Sequence, residues 1–222
     1  MQIKAVLFDL DGTLLNTYED LADAVNYGLL KEGFDARETE NYKYYCGNGV
    51  RVMIERALPD NAKSSENVEK VLVHFLEYYG VHSKDKTRVY DGMIDLVKSL
   101  REQGYHTAIV TNKVHSAARD VVKYYFGDAL FEYVQGQVDN LPTKPDPALV
   151  HLVMEKLGVT PNECVFMGDS GVDALTGKNS GAYPVGVLWG FRKADELLEN
   201  GAKSLINKPD ELYAILDELN GK

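Results

Sequence analysis

The chain is 222 residues long, 45% hydrophobic, with 34 acidic against 24 basic side chains and a formal net charge of −10. That apolar content supports a packed core and excludes a disordered chain, and an acidic surface that repels phosphate backbones argues against nucleic acid as a partner. No apolar stretch approaches the roughly 18–20 residues that span a bilayer, which argues against a membrane protein.

The first element is an apolar run from Ile3 to Phe8. It lacks polar alternation, as expected of a strand buried on both faces of a parallel sheet. Because this strand starts at Ile3, no signal peptide is expected. Together with two isolated cysteines, Cys46 and Cys164, this implies a reducing, cytoplasmic setting. The strand runs into Asp9-Leu10-Asp11-Gly12-Thr13. Two carboxylates so placed repel each other and lose hydration, and a divalent cation with its preference for oxygen ligands would compensate. Open α/β sheets bind ligands at the carboxyl ends of their strands.

After Leu15 the period changes to that of helices. Leu21, Ala24, Val25, Gly28 and Leu29 share one face, with Thr17 as N-cap and Glu19 and Asp20 in the first turn. Tyr42–Tyr45 and 48–58 read as shorter helices, and Val68, Val71, Leu72, Phe75, Leu76 and Tyr79 mark a long one. Nothing between 16 and 82 reads as a strand, which predicts an all-helical insert over those residues.

From about 87 onward α/β alternation returns. Helices are predicted over 92–103, 114–126, 147–157, 172–179 and 210–219, three of them closed by Gly104, Gly158 and Gly181. Strands are predicted over 107–110, around Tyr133, and over 165–167, 184–187 and 205–206. The fold class is therefore α/β, a doubly wound, Rossmann-like parallel sheet interrupted by a helical cap. The expected domains are 1–15 with 83–222 for the core and 16–82 for the insert.

Three further polar clusters follow apolar segments: Thr111-Asn112-Lys113, Thr143-Lys144-Pro145-Asp146-Pro147, and Gly168-Asp169-Ser170-Gly171-Val172-Asp173. With Asp9-x-Asp11-Gly12-Thr13 they resemble, in order and spacing, the four motifs of the haloacid dehalogenase superfamily, most of whose members transfer phosphoryl groups. The stretch from Cys46 to Leu58 and Val187-Leu188-Trp189-Gly190-Phe191 are further similar to phosphoglycolate phosphatases. The insert lies where that superfamily places a helical cap.

The resemblance implies a role for each site residue. Asp9 is the expected nucleophile, forming an aspartyl-phosphate, and Asp11 the acid that protonates the leaving oxygen and then activates water. Thr111 and the Asn112 backbone amide are expected on the phosphoryl oxygens, and Lys144 offsets charge between nucleophile and phosphate. Mg²⁺ is expected on Asp9, Asp169 and the Asp11 backbone carbonyl, with Asp173 orienting Lys144 or a metal-bound water. Ser170 is explained by N-capping alone, and Thr13 supports the first motif. Arg51 is the cap residue nominated for substrate, against a surface ion pair. The expected activity is Mg²⁺-dependent hydrolysis of a small phosphorylated metabolite, best matched by 2-phosphoglycolate. The expected assembly is a monomer or homodimer. Competing readings are a mutase of the β-phosphoglucomutase type, which often has valine where Thr13 stands, an inorganic pyrophosphatase, and a non-catalytic phosphate-sensing module. Asp11 argues against dehalogenation, and the absence of lysine between Leu14 and Leu30 against a Schiff-base phosphonatase.

Overall fold

The computed structural model describes residues 2–221 and divides into two compact units, Met1–Leu15 with Val89–Lys222 and Asn16–Arg88. The first is built on a six-stranded sheet: β1 (Ala5–Phe8), β4 (His106–Val114), β5 (Tyr133–Gln137), β6 (Cys164–Gly168), β7 (Tyr183–Val187) and β8 (Ser204–Ile206). Their order is β5-β4-β1-β6-β7-β8, and all pairs are parallel. The strands are buried on both sides, so alternate residues feed two separate cores. Val6, Phe8, Ile109, Val165 and Met167 face one core, against Met93, Leu96, Val97 and Leu100 of α5 (Met93–Glu102), Val121 and Val122 of α6 (His115–Phe126) and Leu212 and Leu216 of α10 (Leu212–Leu219). Ala5, Leu7, Ala108, Val110 and Phe166 face the other, against Leu149, Val150, Val153 and Met154 of α7 (Ala148–Leu157). Period-2 side-chain alternation inside unbroken apolar runs is what permits helices on both faces.

The chain moves outward from β1 to β4 and β5, then reverses through β6, β7 and β8. The crevice of such a reversal opens at the carboxyl ends of β1 and β6. Phe8 is in register with both Ile109 and Met167, so the residues following β1 and β6 emerge side by side.

The second unit is helical: α1 (Tyr18–Lys31), α2 (Tyr42–Tyr45), α3 (Val50–Ala57) and α4 (Ser65–His82). Two-residue strands, β2 (Leu15–Asn16) and β3 (Arg88–Val89), pair where the chain passes from one unit to the other. The far boundary falls at 88/89 rather than 82/83. Asp20 of α1 explains this, because its carboxylate accepts from the Lys86 and Thr87 amides and the Thr87 hydroxyl, tying that segment to the helices. Thr17 holds the N-cap position of α1, but its backbone is near-helical (φ −113°, ψ −8°) and its hydroxyl makes no capping bond. Side-chain capping needs the extended geometry that Ser64 adopts before α4.

Besides the short strands β2 and β3, which were not expected, strand β4 continues to Val114 through polar residues that read as loop, and α9 (Ala194–Glu199) is a six-residue helix too short to show a period. No helix among the described residues is long and apolar enough to cross a membrane. Both cysteines are buried. Burial, aided by Glu163, pushes the Cys164 thiol up to about 12, so it stays a packing residue at neutral pH.

Candidate active site

Every candidate residue of the four motifs lies in the first unit. Asp9 follows β1, and its amide donates to the Met167 carbonyl at 2.9 Å, which pins the turn to the end of β6. The Lys144 side chain, only 1% exposed, bridges two carboxylates: Nζ donates to Asp9 Oδ1 at 2.6 Å and to Asp173 Oδ1 at 2.7 Å. Asp9, Asp169 and Asp173 each offer a carboxylate oxygen, all within 4.8 Å of one another.

This concentration of charge has consequences for each group. Burial pushes the Asp9 carboxyl up to about 7, with Asp173 adding to the effect and Lys144 opposing it. Asp169 is likewise held well above the usual carboxylate range by burial, then by Asp173 and Asp9. Burial alone would pull the Lys144 ammonium down, but Asp173 and Asp9 more than offset that and keep it charged. Three buried carboxylates against one ammonium leave the cluster short of positive charge. That shortfall and an all-oxygen donor set fit a hard divalent cation.

Asp173 is held on both of its oxygens. Its Oδ2 accepts from the Ser170 amide at 3.0 Å and the Ser170 hydroxyl at 2.6 Å, while Oδ1 takes Lys144. Ser170 is the N-cap of α8 (Gly171–Ser180) and forms a capping box with Asp173 at N3. One helix cap thus also aims the partner of Lys144.

Asp169 is enclosed by backbone. Its Oδ2 accepts from the Phe191 amide at 2.7 Å, and its Oδ1 from the Thr13 hydroxyl at 3.3 Å. The Thr13 carbonyl in turn accepts from Trp189 Nε1 at 3.0 Å. The segment from Val187 to Phe191, which follows β7, therefore braces the site. A side chain at Gly12 or Gly190 would overlap the Asp169 carboxylate, and Gly12 sits at φ +92°, where L-residues are strained. Gly12→Ala is expected to cost about 1–3 kcal/mol in denaturant unfolding and to weaken divalent-cation binding. Unchanged stability and cation affinity would contradict this packing.

The second motif supplies residues that bond to both the first and the third motif. Thr111 is buried, and its Oγ1 accepts from the Lys113 amide at 3.2 Å. Asn112 turns to the Lys144 loop, donating from Nδ2 to the Lys144 carbonyl at 3.0 Å and accepting the Lys144 amide at 2.8 Å. This two-point clamp sets the loop that carries Lys144. Lys113 was not singled out from sequence. Its side chain is 6% exposed, and its ammonium donates to Asp11 Oδ1 at 2.9 Å and Oδ2 at 3.2 Å. Its adjacency to Thr111 and Asn112 was the available signal. Arg51 lies on α3 in the other unit, where its guanidinium forks onto Glu69 at 2.6 and 3.2 Å with the side chain 59% exposed.

A family model described as haloacid dehalogenase-like hydrolase matches residues 6–187, a span that contains Asp9, Asp11, Lys144 and Asp169. A phosphoglycolate phosphatase from Pseudomonas putida is 34% identical over 218 residues, covering 96% of this chain and 78% of that protein. One from Haemophilus influenzae is 32% identical over 222 residues, covering 97% and 99%. Among solved structures, a chain from Lactobacillus delbrueckii subsp. bulgaricus matches with a TM-score of 0.91 and 30% identity, covering 100% of both chains.

Proposed function

This chain belongs to the haloacid dehalogenase-like hydrolases, and we propose that it is an Mg²⁺-dependent phosphatase that hydrolyses 2-phosphoglycolate through a phosphorylated Asp9. The observation that carries this reading is the Lys144 ammonium held at once by Asp9 and Asp173, inside a buried carboxylate cluster at the carboxyl ends of β1 and β6.

An Asp9 oxygen attacks phosphorus, and the bond from phosphorus to the ester oxygen breaks. Asp11 donates its proton to the departing alkoxide. Water then attacks the acyl phosphate, Asp11 takes the proton, and the Asp9 carboxylate returns as inorganic phosphate leaves. Thr111 and the Asn112 amide donate to phosphoryl oxygens, and Lys144 keeps nucleophile and phosphate from repelling each other. Asp9, Asp169 and the Asp11 backbone carbonyl would hold Mg²⁺, which when bound supplies further positive charge to the phosphoryl group. Asp173, with both oxygens occupied by Lys144 and Ser170, orients rather than ligates.

The test is phosphate release from 2-phosphoglycolate with Mg²⁺ and with excess chelator. One phosphate released per substrate, lost with chelator and restored by Mg²⁺, is expected. Conversion of a sugar phosphate without phosphate release would identify a mutase, and turnover of pyrophosphate alone a pyrophosphatase. Absence of turnover on all three would make the protein a binding module. Asp11→Asn is expected to lower kcat by roughly 10²–10⁴-fold on alkyl phosphates, the range of general acid–base catalysis. The loss should be smaller on p-nitrophenyl phosphate, whose leaving group needs little protonation. Equal losses on both would remove Asp11 from that role.

A further inference from the structure

We propose that Lys113, at the end of β4, is the residue that recognises the carboxylate of the substrate, so that selection for a carboxylate-bearing phosphomonoester is built into the catalytic unit itself. This rests on the reading of the protein as a phosphoglycolate phosphatase.

The argument starts from Asp11. To protonate the leaving oxygen, its carboxyl must come within hydrogen-bond reach of that oxygen. The Lys113 ammonium lies 2.9 and 3.2 Å from the two oxygens of the same carboxyl. In 2-phosphoglycolate the carboxylate is one methylene from the ester oxygen. A substrate whose ester oxygen sits on Asp11 therefore brings its carboxylate to the neighbourhood of Lys113. With its side chain only 6% exposed, this ammonium is poorly screened by water, and a charge-assisted bond from it carries more than one at the surface.

The neighbouring charged groups are committed elsewhere, Arg192 to Glu196 among them. Asp9, Asp169 and Asp173 repel a carboxylate, and Lys144 is engaged with Asp9 and Asp173. Arg51 belongs to the helical unit and is forked onto Glu69. An ammonium carries three N–H donors, so Lys113 can donate to a substrate carboxylate while keeping a bond to Asp11, as Lys144 already bridges two carboxylates. The Thr111 hydroxyl accepts the Lys113 amide, so the residue that would hold the phosphoryl group also fixes the backbone of the residue that would hold the carboxylate.

The experiment compares kcat/KM for 2-phosphoglycolate and ethyl phosphate, a similar ester without the carboxylate, in the full-length Mg²⁺-loaded enzyme. Lys113→Gln is expected to reduce the wild-type preference for 2-phosphoglycolate by roughly 10- to 150-fold, the range for a hydrogen bond to a charged group, chiefly through KM. Lys113→Arg should keep most of the preference. Lys113→Met, which retains the apolar stem, replaces the Gln variant if that variant melts early. Equal losses on the two substrates would mean that Lys113 acts only by holding Asp11, and would overturn the proposal. So would a preference that survives in Lys113→Gln but disappears in Arg51→Ala, which would assign the carboxylate to the helical unit. A wild-type enzyme with no preference for 2-phosphoglycolate would instead contradict the substrate reading. A wild-type preference untouched by Lys113→Gln contradicts only the role given to Lys113.

Discussion

Asp9→Asn is expected to reduce turnover by on the order of 10⁴-fold or more while the fold is retained. The amide is nearly isosteric and its oxygen can still accept from Lys144, which lies 2.6 Å from Asp9 in the native protein. It cannot form an acyl phosphate at a useful rate, because the amide oxygen is a poor nucleophile without a negative charge. Removing that charge also relieves repulsion in a cluster where burial has already raised the Asp9 carboxyl to about 7. The metal-free variant should therefore melt no lower than wild type at pH 8. Phosphate release and mass spectrometry of acid-quenched enzyme provide the measurements. A folded Asp9→Asn protein that keeps most of its activity would reject the covalent route, as would a phosphorylated species on another residue.

Lys144→Met should abolish measurable turnover and, in the metal-free protein, destabilise the fold increasingly as pH rises. Removing one partner of a buried ion pair costs about 3–5 kcal/mol when the other charge stays uncompensated. Here the remaining groups are carboxylates that can take up protons instead, so the cost depends on pH. A carboxyl whose folded value lies above its unfolded one favours the folded state fully below the unfolded value. That contribution is lost as pH rises through the folded value. For Asp9 the window in the wild type runs from about 4 to about 7, and the raised Asp169 carboxyl acts in the same direction. Lys144 pulls Asp9 down, so its loss extends the window upward. Thermal melts in chelator should show the gap between wild type and variant widening from pH 5 to pH 8. A gap that stays constant across that range would mean that Lys144 contributes packing rather than charge.

Several parts of the site were legible because they are local. Asp9 and Asp169 each directly follow an apolar run, and the carboxyl end of a buried strand is where a parallel sheet exposes polar groups. Ser170 and Asp173 are three residues apart, and Ser170 is the expected N-cap, bonded to one Asp173 oxygen while the other takes Lys144. The helices closed by Gly158 and Gly181 end where those glycines adopt positive φ. Helix α9 was missed because six residues make fewer than two turns, too few for a period to emerge.

Other features depend on partners far apart in the chain. Lys113 looks like any polar residue after a strand. Only the pairing of β4 with β1, with Ile109 beside Phe8, carries it to Asp11 across 102 positions. Sequence assigns a role only to the Asn112 backbone amide, yet its side chain clamps the Lys144 loop from 32 residues away. The segment after β7 braces Asp169 because parallel pairing of β7 with β6 brings its end beside that aspartate.

By itself, the amino-acid order determined the α/β alternation, the helical insert and the residue types that meet at the strand ends. Hydrophobic period, turn chemistry and capping act over a few residues and leave a direct trace in sequence. Tertiary structure alone decided that Lys113 pairs with Asp11 and Arg51 with Glu69, and it gave the distances at which Lys144 bridges Asp9 and Asp173. Coulombic pairing depends on distance and burial, and both are set by strand register and helix packing rather than by separation along the chain.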